Sequence, residues 1–135
     1  ALGGPAGDVS AQIRFLTIVD GGTIASSTFG SGRGGDVFVR PLDAFISNLL
    51  GGGATGILAA SEAPINGGAG GNVRVESRLL TILDAGVISA VTRGTGRGGN
   101  VDVSAQNTRI RGNDAGFATG IFAASESDGA GGHGG

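Results

Sequence analysis

The 135-residue sequence lacks cysteine, methionine, tryptophan, tyrosine and lysine, and all nine of its basic residues are arginine. Without cysteine, disulfides and thiolate metal sites are impossible. A net charge of −2 gives no electrostatic footprint for nucleic acid or for an anionic membrane. No apolar run approaches the ~20 residues that a membrane span needs. We therefore expect no nucleic-acid partner and no membrane insertion.

Glycine is abundant instead, with 30 residues, but it follows no three-residue period, so a collagen helix is excluded. Only three prolines and a hydrophobic fraction of 39% make a disordered linker a poor fit. The apolar residues are mostly isoleucine, valine, leucine and alanine, which suit strands packed on both faces. The composition thus favours buried β-structure.

The chain consists of two copies of a 64-residue unit. The phrase ATGILAASE at 54–62 returns as ATGIFAASE at 118–126, with eight of nine residues identical. Residues 7–36 align with 71–100 at the same offset, and fifteen of these thirty positions are identical. The match continues without a gap, so the repeat is the main sequence signal for the fold.

Each unit divides again into a short and a long turn. Every turn begins with Gly, then Asp or Asn, then Val, and contains three segments of alternating apolar residues separated by glycine-rich corners. Such segments predict an all-β fold, a right-handed parallel β-solenoid of about four turns, or rungs, with three short strands per rung. We expect one domain over 1–135, with rungs at about 7–34, 35–70, 71–98 and 99–135.

The same register predicts apolar ladders along the solenoid interior, in which equivalent residues of successive rungs stack on one another. We expect all of these residues to be buried. The ladders are Val9, Val37, Val73 and Val101; Ala11, Val39, Val75 and Val103; Ile18, Ile46, Ile82 and Ile110; and Ile24, Ile57, Ile88 and Ile121.

The wording GAGGNVRVESRLLTILDAGVISAVTRGTGRGGNVDVSA, at 68–105, resembles the repeats of filamentous-haemagglutinin-like exoproteins of two-partner secretion, including long surface proteins of filamentous cyanobacteria. The resemblance covers most of the short turns and is weaker in the long ones. It implies a secreted β-solenoid shaft at the cell surface or outside the cell. These repeats usually form the shaft and not the binding tip.

One polar row stands at a corner of the predicted solenoid: Asp8, Asp36, Asn72 and Asn100. A calcium site is one interpretation, because Gly-Gly-x-x-x-Asp phrases occur in calcium-binding repeats. Those repeats need a nine-residue tandem period, which is absent here. The favoured interpretation is an Asx corner, in which the side chains hydrogen-bond to backbone groups.

Other charged residues also repeat with the unit, whereas an active site is normally single. Asp20 and Asp84, with Arg14 and Arg78, are therefore interpreted as turn residues and surface ion pairs. His133 is the single histidine and stands in a terminal glycine run, so no Ser/His/Asp arrangement can be built around it. We expect no catalytic residues, no metal site and no cofactor.

Several large apolar residues fall on outward positions, where an exposed shaft would carry polar side chains. Either the five-residue insertions of the long rungs, LLGGG (49–53) and NDAGF (113–117), fold over them, or other chains do. The residues proposed for such lateral contact are Leu58, Phe122, Phe15, Phe45 and Leu79.

The first functional hypothesis is a structural, non-enzymatic protein: an extracellular filament or shaft with a mechanical or adhesive role. The sequence starts and stops in the same glycine-rich corner and contains no segment typical of a cap. Head-to-tail self-association is therefore expected, with lateral bundling as a further possibility. The alternatives are a solenoid module that binds a carbohydrate or another surface and, less favoured, a polysaccharide-active β-helix enzyme.

Overall fold

A computed structural model describes residues 4–51, 53–113 and 116–126 and contains eight β-strands in two four-stranded sheets. All neighbouring strands are parallel. The first sheet has the order β1-β3-β5-β7 and the second β2-β4-β6-β8. The strands are β1 (Val9–Val19), β2 (Thr23–Thr28), β3 (Val37–Ser47), β4 (Thr55–Ser61), β5 (Val73–Leu83), β6 (Gly86–Arg93), β7 (Val101–Arg111) and β8 (Gly120–Glu126).

Each turn of the chain contributes one strand to each sheet, so the sheets stack into a parallel β-solenoid of four rungs. Rung 1 contains β1 and β2, rung 2 contains β3 and β4, rung 3 contains β5 and β6, and rung 4 contains β7 and β8. The predicted fold class is confirmed, and its right-handed coiling stays a prediction from the crossover preference.

All four predicted ladders pair in the expected register. Val9 pairs with Val37, which pairs with Val73 in the next rung, and Val73 pairs with Val101. The other ladders behave alike: Ala11, Val39, Val75, Val103; Ile18, Ile46, Ile82, Ile110; and Ile24, Ile57, Ile88, Ile121. Residues at equivalent positions of the repeat therefore pair with one another in successive rungs.

Complete burial of the ladders is limited to the middle of the stack. Ile46 and Ile82 are 0% exposed, and Ile18 is 5% exposed. Ile110, in the same ladder, is 46% exposed, so the prediction that it is buried was wrong for this chain by itself. Rung 4 has a described neighbouring rung on one side only, although Ile18 of rung 1, which also lies in an end rung, is buried. Half-buried ladder residues in the end rungs are Val9, Ala11, Ile24, Val101, Val103 and Ile121.

The structure has two strands per rung and not three, because the first two predicted segments belong to one eleven-residue strand. The inward side chains nevertheless change phase within that strand. In β3 the buried positions are Val37, Val39 and Pro41, and then Ala44, Ile46 and Ser47. Two successive residues face away from the core at that point, so the strand bends there and forms a corner without ending.

Glycine allows the rungs to approach closely at the corner between the second and first sheets. A side chain on Gly35 would overlap with the carbonyl oxygen of Gly7, and one on Gly71 with that of Gly35. This close contact with the preceding rung is repeated along the stack at Gly32, Gly68 and Gly96 and at Gly35, Gly71 and Gly99. The two rows begin in rung 1 with Gly4 and Gly7, where a side chain would meet no atom within 4 Å.

The corners between the first and second sheets differ between short and long rungs. In the short rungs, two successive residues adopt positive φ, Asp20 (45°) with Gly21 (94°) and Asp84 (49°) with Ala85 (66°). Such a pair reverses the chain within few residues. The long rungs have longer loops here, and in rung 2 the Asn48 side chain donates to the Gly53 carbonyl oxygen at 3.1 Å.

We predict that Ile82→Ala lowers the free energy of unfolding by about 2–5 kcal/mol, because it leaves a cavity between packed rungs. Ile110→Ala serves as the matched control, since it removes the same atoms from the same ladder at a half-exposed position. The loss of unfolding free energy in Ile110→Ala should be at least about 1 kcal/mol smaller than the loss in Ile82→Ala. Urea unfolding of both variants, followed under conditions where the chain is monomeric, measures the difference. Equal losses of unfolding free energy in the two variants would contradict the position of Ile110 in an uncovered end rung.

Candidate functional site

The predicted polar corner row forms a continuous hydrogen-bonded ladder. The Asp36 N–H donates to Asp8 Oδ1 at 2.7 Å, and the Asn72 N–H donates to Asp36 Oδ1 at 2.7 Å. The Asn100 N–H donates to Asn72 Oδ1 at 2.9 Å. The Asx-corner interpretation is therefore confirmed, with one change. The backbone donor belongs to the next rung and not to the same corner, so each side chain joins two rungs.

Backbone bonds complete this ladder in the opposite direction. The Val9 N–H donates to the Asp36 carbonyl oxygen, and the Val37 N–H donates to that of Asn72, both at 2.8 Å. Without the Asx side chains, the N–H groups of the corner residues would face the preceding rung without an acceptor. Aspartate and asparagine both supply that acceptor, which explains why either residue occurs at this position.

Asp36 is the one corner residue that also forms an ion pair, with Arg33 Nη2 at 2.6 Å. Partial burial by itself raises the pKa of Asp36. The hydrogen bond from the Asn72 N–H and the positive charge of Arg33 outweigh that effect, so the pKa of Asp36 lies below its ordinary value of 3.8. The carboxylate is thus held in its charged form.

This arrangement uses the corner oxygens for rung-to-rung contact. Within 4–51, 53–113 and 116–126, no group of three or more His, Cys, Asp or Glu residues lies close enough to hold a metal ion. His133 lies outside the described residues. The corner side-chain oxygens of Asp8, Asp36 and Asn72 instead accept backbone hydrogen bonds from the following rung.

Asp20 and Asp84 occupy the tight positive-φ corners, as expected for turn residues. The Leu50 N–H donates to Asp20 Oδ1 at 3.0 Å, and Ser47 Oγ donates to Asp84 Oδ2 at 3.3 Å. Sequence reasoning missed the threonines that complete these corners. The Gly21 N–H donates to Thr55 Oγ1 at 2.7 Å.

In the second unit the Ala85 N–H donates to Thr119 Oγ1 at 2.8 Å. Both threonines stand in the repeated Ala-Thr-Gly phrase. That exact repetition was the available signal for their shared role.

Arg78 does not pair with Asp84, which follows it in the same rung. Its guanidinium binds Asp43 of the preceding rung, with Nη2 at 2.9 and 3.0 Å from the two carboxylate oxygens. Asp43 pairs in register with Leu79, which places it beside Arg78. The ion pair lies at the bend of the long strands and joins rungs 2 and 3.

A second charged cluster lies on the first half of the same strands. Glu76 accepts from Arg40 Nε at 3.0 Å and from Arg74 Nη2 at 2.8 Å. Both guanidinium groups also lie over the Phe38 ring, at 5.7 and 5.4 Å from its centroid. The exposed charges of rungs 2 and 3 therefore neutralise one another locally, and each such pair contributes little to stability.

The five residues proposed for lateral contact do not form one surface. Phe15 (66% exposed) and Leu79 (40%) lie in one outward row of the first sheet, and Phe45 lies in the next row. Leu58 and Phe122 lie in a row of the second sheet, where Leu58 is half-buried.

The described residues of the insertions do not cover this apolar surface. Leu49, Leu50 and Phe117, which belong to the insertions, are themselves 69%, 82% and 68% exposed. Phe15, Phe45 and Leu79 are themselves exposed, and contact with another chain stays a prediction for them.

The two end rungs have open sheet edges. Within the described residues, the outer edges of β1 and β2 and of β7 and β8 have no strand beside them. Arg14 of rung 1 and Arg109 and Arg111 of rung 4 form no ion pair with any residue of the described ranges, in contrast to the arginines at the bends. Sheet edges of this kind present unpaired backbone N–H and C=O groups.

Comparisons of the chain with family models, with curated proteins and with solved structures give no match. The part of the chain described by the structure also contains no helix of the length and apolarity that crossing a membrane requires.

The pKa of Asp36 yields a prediction about acid stability. The pKa of Asp36 is lower in the folded chain than in the unfolded chain, so its carboxylate stabilises the fold. This stabilisation is fully present above the pKa of the unfolded chain, and it is lost as the pH falls through the pKa of the folded chain. We expect the free energy of unfolding to fall more between pH 5 and pH 2 in the wild type than in Asp36→Asn. The difference should be about 0.5 kcal/mol or less, since the ion pair is largely exposed. Asparagine keeps the acceptor for the Asn72 N–H.

Asp102→Asn is the matched control, because Asp102 is exposed and forms no ion pair with a described residue. It measures the effect of removing one exposed carboxylate by itself. Urea unfolding at a series of pH values gives all three profiles. A wild type and an Asp36→Asn variant with parallel profiles would contradict the stabilised carboxylate.

Proposed function

We propose that this chain is a structural element of an extracellular or cell-surface β-solenoid filament or shaft, with a mechanical or adhesive role. Its units are joined head to tail, or they are segments of one long exoprotein. The observation that carries this proposal is the contrast within one ladder, in which Ile82 is 0% exposed and Ile110 is 46% exposed. An isoleucine at the same position of the rung is therefore buried in rung 3 and exposed in rung 4.

The uniform register supports a structural role. Every rung contacts the next through the same four ladders, the same corner hydrogen bonds and the same parallel pairing. A stack of this kind lengthens by adding rungs without any new type of contact. Its edges are open N–H and C=O groups, which another rung satisfies in the geometry already used inside the chain.

The proposed location follows from the resemblance of 68–105 to secreted exoprotein repeats, together with the absence of cysteine from the chain. A cell-surface shaft needs length, stiffness and resistance to local opening. Stacked parallel rungs provide these properties because their backbone hydrogen bonds run along the long axis.

Two observations favour this role over the alternatives. A module that binds a regular carbohydrate or crystal-like surface needs regular outward rows, whereas one row here reads Phe15, Asp43, Leu79 and Asn107. A polysaccharide-active enzyme needs acidic and basic groups free to act on substrate. Here Asp43 and Glu76 are engaged with arginines.

Electron microscopy of the purified chain tests the proposal. We expect long, unbranched filaments of one width, in which the unit of four rungs repeats at about 19 Å along the axis, from ~4.8 Å per rung. Denaturing electrophoresis of the native material then separates the two ways of joining. A band near 13 kDa indicates non-covalent stacking, and a very large band indicates one long repeat protein.

Hydrogen exchange supplies the outcome that contradicts the proposal. In an open stack, the amides of β1 and β7 exchange faster than those of β3 and β5 unless further rungs cover them. A monodisperse monomer whose end rungs are as protected as its middle rungs would show that the edges are closed in another way. The structural filament would then be ruled out.

A further inference from the structure

We propose that a second copy of this chain docks its rung 1 on rung 4, in the register that joins rung 2 to rung 3 inside one chain. This inference rests on the proposed filament function and names its interface. Rungs 2 and 4 are both long and rungs 1 and 3 are both short, so the junction repeats an internal long-to-short step. Equivalent residues of the two units are 64 positions apart.

The glycine rows give the first argument. Gly71 needs to be glycine because any side chain would overlap with the Gly35 carbonyl of the rung before it. Gly7 is its equivalent in rung 1, and its φ lies outside the left-handed region. The space that its side chain would enter is open within one chain. Within the described residues of one chain nothing requires glycine there, whereas a preceding rung would place the carbonyl of Gly99 in that space.

Gly4 repeats this pattern. Its equivalent Gly68 is in close contact with the Gly32 carbonyl, while Gly4 itself faces open space with an unstrained φ. Across the proposed junction, Gly4 would face the carbonyl of Gly96. Two separate glycines of rung 1 are thus explained by the same neighbouring rung.

The corner ladder continues across the same junction. Inside the chain, the Asn72 N–H donates to Asp36 Oδ1 and the Val37 N–H donates to the Asn72 carbonyl oxygen. At the junction, the Asp8 N–H of the incoming copy donates to Asn100 Oδ1. The Val101 N–H donates in return to the carbonyl oxygen of that Asp8. Both hydrogen bonds use groups at the open edges.

One contact at the junction differs from its equivalent inside the chain, so duplication of the repeat unit does not account for it. This contact joins two opposite charges. Inside the chain, the contact between rungs 2 and 3 at the tight corner is the neutral donor Ser47 with Asp84. The equivalent residues at the junction are Arg111 and Asp20, which would form an ion pair between copies. Asp20 accepts one backbone hydrogen bond through Oδ1, and Oδ2 is available to the guanidinium.

The apolar surface of the end rungs is closed by the same step. Ile110 of one copy would be covered by Ile18 of the next, as Ile46 is covered by Ile82. Gly120 has a φ of 143°, which favours glycine within one chain already, and its equivalent Gly56 is in close contact with the Val87 carbonyl of the following rung. At the junction Gly120 would likewise face the carbonyl of Thr23.

The experiment compares the assembly of the full chain with that of Gly7→Ala and of Gly53→Ala. Both substitutions place a methyl group in open space at an unstrained φ, but Gly53 lies in the rung 2 insertion, away from the junction. We expect both monomers to unfold at or slightly above the wild-type denaturant concentration. The critical concentration for assembly should rise at least about tenfold for Gly7→Ala and stay unchanged for Gly53→Ala.

A charge variant tests the register independently. Arg111→Glu places two acidic groups together at the junction, while Arg109→Glu, one outward row away, faces Thr17 of the incoming copy. The critical concentration should rise for Arg111→Glu, and this effect should shrink in high salt. Arg109→Glu should assemble like the wild type. Equal behaviour of the two variants would overturn the proposed ion pair and its register.

Mixing tests the polarity of the junction. Gly7→Ala is blocked at rung 1 only and keeps an intact rung 4, so a small fraction of it should end filaments and shorten them. Filaments of unchanged length, or full assembly of Gly7→Ala alone, overturn this interface while a filament of another geometry stands. A wild-type chain that remains monomeric also overturns copy-to-copy docking. In that case denaturing electrophoresis of the native material still tests the proposed function, because a very large band indicates that the rungs belong to one long repeat protein.

Discussion

The spacing of about 4.8 Å between parallel strands is the constraint on which this structure depends. It places equivalent residues of successive rungs directly above one another, so each side chain has a copy of its own position as a neighbour. Apolar residues in such rows form continuous ladders, and Asx residues form a hydrogen-bonded ladder. The same spacing excludes a Cβ atom wherever the corner brings a carbonyl group of the next rung too close, as at Gly35 and Gly71.

This geometry separates the chemistry of the molecule into an interior and two kinds of surface. The interior is filled by isoleucine, valine and alanine, and the sides carry ion pairs that join neighbouring rungs, such as Arg78 with Asp43. The ends are different in kind, because they expose both the apolar interior and the hydrogen-bonding edge of each sheet. The ends and the outward rows are therefore the surfaces on which the proposals above rest.

The proposed role and the proposed junction follow from the same physical reasoning. Open glycines at Gly4 and Gly7, the half-exposed Ile110 and the unlike charges of Asp20 and Arg111 all lie in the two end rungs. In the proposed junction, another rung would supply the contact that each of them lacks within the described residues of one chain.

The sequence by itself determined the parallel solenoid, the number of rungs, the register of the four ladders and the corner row of Asp8, Asp36, Asn72 and Asn100. Each of these follows from spacing, and spacing survives folding when every rung has the same shape. The tertiary structure alone decided the features that depend on neighbours distant in sequence. These are the bend inside each long strand, the pairing of Arg78 with Asp43, the threonines that complete the tight corners, and the exposure of Ile110. Spacing sets which residues share a row, but burial and pairing depend on what lies above and below.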